Sequence, residues 1–258
     1  MNSSPIGVMD SGIGGINVLK SLIEKLPNED FIYVADTLNC PYGTKSPEEI
    51  ENLVRRVSNY LINKGCKAIV IACNTATCHS SFLLNQDKVI VLGVINPTAT
   101  EAIKNSKKIA LLATNATIDS GVYQEILLNA NKEVVPIKCS VFVEAIEKGE
   151  INSEYARSLV FNHLKSYQNQ NIDSVILGCT HFDLYKNHIQ EVFKNARIVS
   201  SGKPTSIELE RLLKKNNLLN PKTTKGKVYL KTTLAANLLK EQVKIFDLDY
   251  EFIEKIIV

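Results

Sequence analysis

Short apolar runs recur along the chain, and most are followed by longer stretches in which apolar residues return every third or fourth position. IGVM at 6–9, FIYVA at 31–35, KAIVIA at 67–72 and VIVLGVI at 89–95 are of the first kind. They predict strands covered on both faces, since a run with no polar alternation has no face to give to water. The second kind predicts helices: INVLKSLIEKL at 16–26, ended by Pro27, and PEEIENLVRRVSNYLINKG at 47–65, with Ser46 as N-cap and Pro47 in the first helical position. TATCHSSFLLN at 75–85 follows the third strand as a further helix. The alternation then repeats. KIALLAT (108–114), EVVPIKC (133–139), SVILGC (174–179) and ARIVS (196–200) are expected as strands. Helices are expected over 116–131, 140–149, 152–167, 181–195 and 207–217, and KVYLKTT and LAANLLKEQVKIF close the chain.

Apolar strands joined by crossover helices imply an α/β fold with mostly parallel sheets flanked by helices. There are too many strands for one small sheet. Two of them end in a cysteine followed by compact polar residues, IVIACNTATC at 69–78 and VILGCTHF at 175–182. The expected organisation is therefore two similar domains facing across a cleft. Residues 1–96 plus 208–258 form one and carry Cys73; residues 97–207 form the other and carry Cys179, the chain returning near Lys203-Pro204. In open parallel sheets ligands bind beyond the carboxyl ends of the strands. Cys73 and Cys179 fall at such ends, as do Asp10, Asp36 and Thr114.

Composition narrows the classes. The 258 residues are 45% hydrophobic and 22% charged, with 30 basic and 27 acidic residues for a formal charge of +3, so no concentrated basic face points to nucleic acid. No apolar stretch approaches the roughly 20 residues that span a bilayer, and no basic-then-apolar leader is seen at the N-terminus. The expectation is a cytoplasmic protein with its six cysteines reduced. None of them forms a Cys-x-x-Cys pair, so neither a structural zinc nor a dithiol redox centre is expected.

A lone buried cysteine is more often a small core residue than a reactive one. Two at matching strand ends, each ahead of a helix start that would lower the thiol pKa, point to chemistry. Asn74, Thr75 and Thr180, with free backbone N–H groups beside them, suit a carboxylate, and His181 can exchange a proton with substrate or with Cys179. Asp10 and Ser11 stand at a strand tip, available to an ammonium or a thiol. MDSGIGG does not complete a dinucleotide-binding glycine pattern, although Asp36 sits where a ribose-binding acid would. In the turn-rich ADTLNCPYGTKS, Tyr42 and Gly43 are placed to reach the cleft by side chain and backbone, and Cys40 to line it. Cys66, Cys78 and Cys139 read as structural, and His79, His163 and His188 as packing or surface residues; Glu144 and Glu147 share a helix, where one could face the cleft.

MDSGIGG, VADTLNCPYGTKS, ACNTAT, LLATNATIDSGVY and GCTHF, in this order and at these spacings, resemble the glutamate racemase family over nearly the whole chain. The resemblance implies two α/β domains, no cofactor and no metal, and interconversion of L- and D-glutamate, the latter for peptidoglycan. It implies Cys73 and Cys179 as the acid/base thiols, Cys73 acting on the D-enantiomer and Cys179 on the L-enantiomer. Asp10, His181 and Glu147 would assist them, and Asp10, Ser11, Tyr42, Gly43, Asn74, Thr75, Thr180 and His181 would bind substrate. It also implies a homodimer. INPT at 95–98, SSG at 200–202 and the tail KVYLKTT depart from the family pattern outside these motifs. Three other readings remain: a racemase of the same superfamily acting on aspartate or another amino acid, a binding protein that kept the cleft without turnover, and a thiol redox protein.

Overall fold

A computed structural model describes residues 2–83 and 89–258. The first part of the chain runs β1 (Ile6–Asp10), α1 (Ile16–Lys25), β2 (Phe31–Ala35), α2 (Pro47–Asn63), β3 (Ala68–Ile71), α3 (Asn74–Cys78), β4 (Ile90–Gly93) and α4 (Ile95–Ile103). It continues with β5 (Lys108–Ala113), α5 (Asn115–Asp119), α6 (Val122–Asn129), β6 (Glu133–Lys138), α7 (Ser140–Glu147), α8 (Glu154–Leu164), β7 (Ser174–Gly178), α9 (Lys186–Val192) and β8 (Arg197–Val199). The last elements are α10 (Gly202–Lys215), β9 (Val228–Thr232), α11 (Ala236–Val243) and β10 (Phe252–Lys255).

Two sheets result, one in the order β10-β9-β2-β1-β3-β4 and one in the order β6-β5-β7-β8, with every pairing parallel. The unbroken apolar runs are explained by burial on both sides. In the first sheet Val8, Tyr33 and Val70 join one core, and Met9, Val34 and Ile71 join another beneath α2. In the second sheet Leu112 and Val175 face one core, and Leu111 and Ile176 the other. Helix α2 starts as its sequence predicts, with Ser46 and Glu49 capping each other's backbone and Pro47 in the first turn. Helix α10 lies against α1, and α4 bridges towards β7 and β8 of the second sheet. A division at residue 96 or at residue 207 would therefore cut α4 or α10.

Several expected elements differ. The helix expected over 75–85 ends at Cys78, and Leu84 and Asn85 lie outside the described residues. Its stop has a local cause, since the Thr77 hydroxyl lies 3.1 Å from Ile71 O and 3.0 Å from Cys73 O, drawing the side chain back onto the backbone. The helix expected over 116–131 is two helices, broken where Gly121 takes φ +73° and Ser120 donates to Thr117 O. The stretch after Cys179 opens as a tight 3₁₀ segment, Thr180–Tyr185, before α9 begins. β10 adds an edge strand that the sequence does not signal, because Phe252–Lys255 is short, charged and largely exposed.

Candidate active site

The carboxyl ends of β1, β3, β5 and β7 converge through short loops. Residues 11–15, after β1, lie directly against the loop after β7. A Cβ on Gly14 would stand 2.6 Å from Thr180 Oγ1 and 2.7 Å from the His181 backbone nitrogen. A Cβ on Gly12 would stand 3.1 Å from Cys40 Sγ and 3.3 Å from Glu147 Oε1. Only a chain without side chains at these points lets the two sheets approach so closely.

Cys73 is the N-cap of α3: its sulfur accepts from the Ala76 N–H at 3.4 Å, and its thiol donates to Ser11 Oγ at 3.7 Å. The expectation of a thiol made acidic by a helix start fails here. Helix α3 has five residues, and burial, reinforced by the negative charge of Asp10, pushes the Cys73 thiol well up, with the Ala76 N–H and Ser11 opposing only in part. Asp10 is itself fully buried, and burial raises it to about 6 against the His181 charge, the Gly12 and Gly15 N–H groups and Thr180. It accepts from Gly12 N at 3.0 Å and from Thr180 Oγ1 at 3.2 Å, so its carboxyl ties one loop to the other.

Cys179 is extended at the end of β7, with no backbone N–H on its sulfur among the described residues, and lies 3.8 Å from His181 Nδ1. The other ring nitrogen, Nε2, is 2.6 Å from Glu147 Oε1. Burial works against a charged His181, but the hydrogen bonds and charges of Cys179 and Glu147 outweigh it and hold the imidazole well above its usual range. Glu147 shows the complementary result: burial pushes its carboxyl up, and His181 and Cys40 bring it below the usual range. The pair is ionic, with Glu147 holding the ring whose far side faces Cys179. Cys40 joins this group, its thiol donating to Glu147 Oε1 at 3.8 Å.

Asn74 and Thr75 sit beside Cys73 in the first turn of α3. The Tyr123 hydroxyl donates to Asn74 Oδ1 at 2.8 Å. That fixes the amide, and Asn74 Nδ2 is buried with no partner among the described residues. The hydroxyls of Thr75, Thr114 and Thr117 form a triangle with sides of 2.9, 3.0 and 3.0 Å, joining α3 to α5. Gly43 packs onto the same point, since a Cβ there would meet Thr114 Cβ at 2.9 Å.

The Tyr42 hydroxyl has its partner within its own loop. Its hydroxyl donates to Asp36 Oδ2 at 2.6 Å, and Asn39 and Thr233 also donate to that carboxylate. Asp36 thus anchors the 36–44 loop from within, and Tyr42 supports the loop through its side chain. Asp10, Ser11, Cys73, Thr180, His181, Glu147 and Cys179 are brought together, with Asn74, Thr75 and Gly43 beside them. Thr117 and Tyr123 were not assigned from sequence; the signal for them was their place in the TNATIDSGVY run that follows a strand end.

Apart from Cys40, Gly43 and Glu147, these residues are buried, so the loops close over the group. A buried cluster of two thiols, an ion-paired imidazole, a carboxyl of raised pKa and an unpaired amide N–H suits proton transfer at a small polar molecule held by its carboxylate. Cys40, Glu147 and His181 also offer three ligand atoms that all lie within 4.8 Å of one another.

The chain matches the Asp/Glu/hydantoin racemase family over residues 6–203. It is 40% identical over 223 residues to a glutamate racemase of Lysinibacillus sphaericus, covering 84% of each chain. The crystal structure of a glutamate racemase isoform from Bacillus anthracis superposes with a TM-score of 0.94 at 31% identity, covering 100% of this chain and 99% of that one. The glutamate racemase of Francisella tularensis, solved in complex with D-glutamate, gives a TM-score of 0.90 at 30% identity over 100% of this chain and 98% of that one.

Proposed function

The chain belongs to the Asp/Glu/hydantoin racemase family, and from that premise we propose that it interconverts L- and D-glutamate by proton exchange at Cα between two thiols. Inverting a stereocentre takes a proton from one face and returns one to the other, which needs groups on opposite sides. Cys73, bonded to Ser11 in the loop after β1, and Cys179, beside His181 in the loop after β7, come from different sheets, and those two loops are in contact; this is the observation that carries the reading. Cys73 takes the proton from the D-enantiomer while Cys179 delivers one; the roles exchange for the L-enantiomer. Asp10 acts on the protonation of Cys73, and His181, held by Glu147, stands 3.8 Å from Cys179 to exchange a proton with it.

The raised Cys73 pKa has a place in this scheme. The site already holds negative charge at Asp10 and Glu147, and a bound amino acid brings in an ammonium. That cation favours the thiolate at the moment a base is required. The α-carboxylate, where charge develops as Cα loses its proton, meets Asn74 Nδ2, whose hydrogens have no acceptor among the described residues, with Thr75 and Thr180 adjoining. Gly43 contributes backbone, and Ser11 shares Asp10's position by the ammonium. Access requires loops 11–15 and 43–44 to withdraw from Thr180 and Thr114.

The two sheets with their helices act as two domains, and their junctions fall at the starts of α4 and α10. The product serves peptidoglycan synthesis in the cytoplasm, and the active form is a homodimer. No helix among the described residues is long and apolar enough to cross a membrane. A chirality-resolved assay with no added cofactor tests the activity: each glutamate enantiomer should approach the same racemic mixture, and aspartate should turn over far more slowly. Faster turnover of aspartate would assign the alternative superfamily activity.

A further inference from the structure

Cys40, Glu147 and His181 form a group whose donor types are those of a zinc site: one thiolate, one carboxylate and one imidazole. Cys40 lies in the 36–44 loop of the first sheet's half, Glu147 ends α7, and His181 follows β7 in the other half. Two of the three distances come near coordination geometry, and the third, from Cys40 to the imidazole, is within 4.8 Å. Metal–ligand bonds of roughly 2.0–2.3 Å give a tetrahedron with edges of about 3.3–3.6 Å. Cys40 Sγ is 3.8 Å from Glu147 Oε1, close to such an edge. Glu147 Oε1 and His181 Nε2, at 2.6 Å, must part by a fraction of an ångström, which a small turn of the glutamate side chain supplies. Gly12 faces all three, with no side chain to fill the space between them. Glu147 and Cys40 are half-buried, so an ion can arrive from solvent.

We propose that this triad is an inhibitory site for Zn²⁺, bound across the two halves with its fourth position left to water. The Cys40 thiol and the His181 imidazolium each give up a proton to solvent, so that Cys40 binds as thiolate, Glu147 as carboxylate and His181 as neutral imidazole through Nε2. A divalent cation against one thiolate and one carboxylate leaves the group electrically neutral, which its depth in the protein favours. The ion occupies the Nε2 that Glu147 now holds and fixes His181 beside Cys179, so that His181 no longer exchanges a proton with that thiol. It also pins the 36–44 loop to α7 and so opposes opening. The ion site stands on geometry alone, whereas its effect on turnover rests on the racemase reading.

The test uses the full chain, reduced and stripped of metal by a chelator. The unaltered protein should bind one Zn²⁺ per chain, and Co²⁺ should give a thiolate-to-cobalt charge-transfer band. In Cys40→Ala and Cys40→Ser that band should vanish, and Zn²⁺ affinity should fall at least about tenfold, as loss of a ligand shell contact requires. Circular dichroism establishes that either variant is folded, and Glu147→Gln gives an independent loss of affinity. Glutamate racemisation should be inhibited by Zn²⁺ and restored by chelator, with Mg²⁺ inert. Each Cys40 variant, measured against its own zinc-free rate, should need at least about tenfold more Zn²⁺. Zinc affinity within about twofold of the unaltered chain in folded Cys40 variants, or persistence of the cobalt band in them, overturns the site. Binding by the triad with no loss of turnover overturns the inhibitory role. A zinc-free chain that does not racemise glutamate refutes the proposed activity while leaving the binding result to decide the site.

Discussion

Asp10 should make the protein less stable at neutral pH than it would be with a neutral side chain in its place. Its carboxyl is fully buried, and its pKa rises from an ordinary 3.8 to about 6. The folded state therefore holds this proton more tightly than the unfolded state does. The sign follows: the penalty is absent below about pH 4, grows between the two pKa values and is complete above about pH 6. A shift of about two units at 1.36 kcal/mol each amounts to about 3 kcal/mol at pH 8. Asp10→Asn removes the charge but weakens one of the bonds from Gly12 N–H and the Thr180 hydroxyl, a loss of about 1 kcal/mol. The expected net gain at pH 8 is about 2 kcal/mol, or about 4–8 °C in Tm for a chain of this length. At pH 4.5 the gain should disappear or reverse. Calorimetry or denaturant unfolding of both proteins at the two pH values reads it. Racemase activity should fall in the same variant, because the group beside Cys73 is gone. An Asn variant no more stable than the parent at pH 8, or shifted equally at both pH values, would refute the claim that Asp10 is held charged against its burial.

Tyr123→Phe frees the Asn74 amide to turn. KM should rise about fivefold, from the loss of roughly 1 kcal/mol of hydrogen bonding, with kcat changed less. Steady-state kinetics separates the two, and an unchanged KM would dismiss Tyr123 as a positioning residue. Gly14→Ala drives a Cβ to 2.6 Å from Thr180 Oγ1, so the loops must part; kcat/KM should drop by at least about tenfold while the chain remains folded. Replacing Thr75 by Val breaks a triangle of three hydroxyls and leaves Thr114 and Thr117 bonded only to each other. Unfolding measurements should register a loss of about 1–2 kcal/mol, and no loss would mean that the triangle contributes nothing net.

Much of the α/β alternation could be read from the chain because parallel strands buried on both faces leave unbroken apolar runs, as at Ala68–Ile71 and Ser174–Gly178. Helix ends were less legible where side chains compete with the backbone. Thr77 and Ser120 both bond back to carbonyls and shorten helices whose apolar spacing runs on. The edge strand at Phe252–Lys255 depends on pairing with Val228–Thr232, which its own charged residues do not announce. In the site, the thiols and their polar neighbours stood out at strand ends. The protonation of Cys73 could not be read, because helix α3 is too short to offset burial beside Asp10. Tyr42 points to Asp36 for a reason the strand and loop around it cannot express: Thr233, from the far end of the chain, completes the same carboxylate's shell.

Two thiols acting from opposite faces of one carbon leave an isotopic trace that single-base exchange does not. In deuterated water, each glutamate enantiomer should acquire deuterium at Cα as it inverts, with almost none entering the recovered starting enantiomer early in the reaction. Cys73→Ser and Cys179→Ser should each abolish inversion. Near-normal racemisation by both variants, or early deuterium in unreacted substrate at the rate of inversion, would contradict the account.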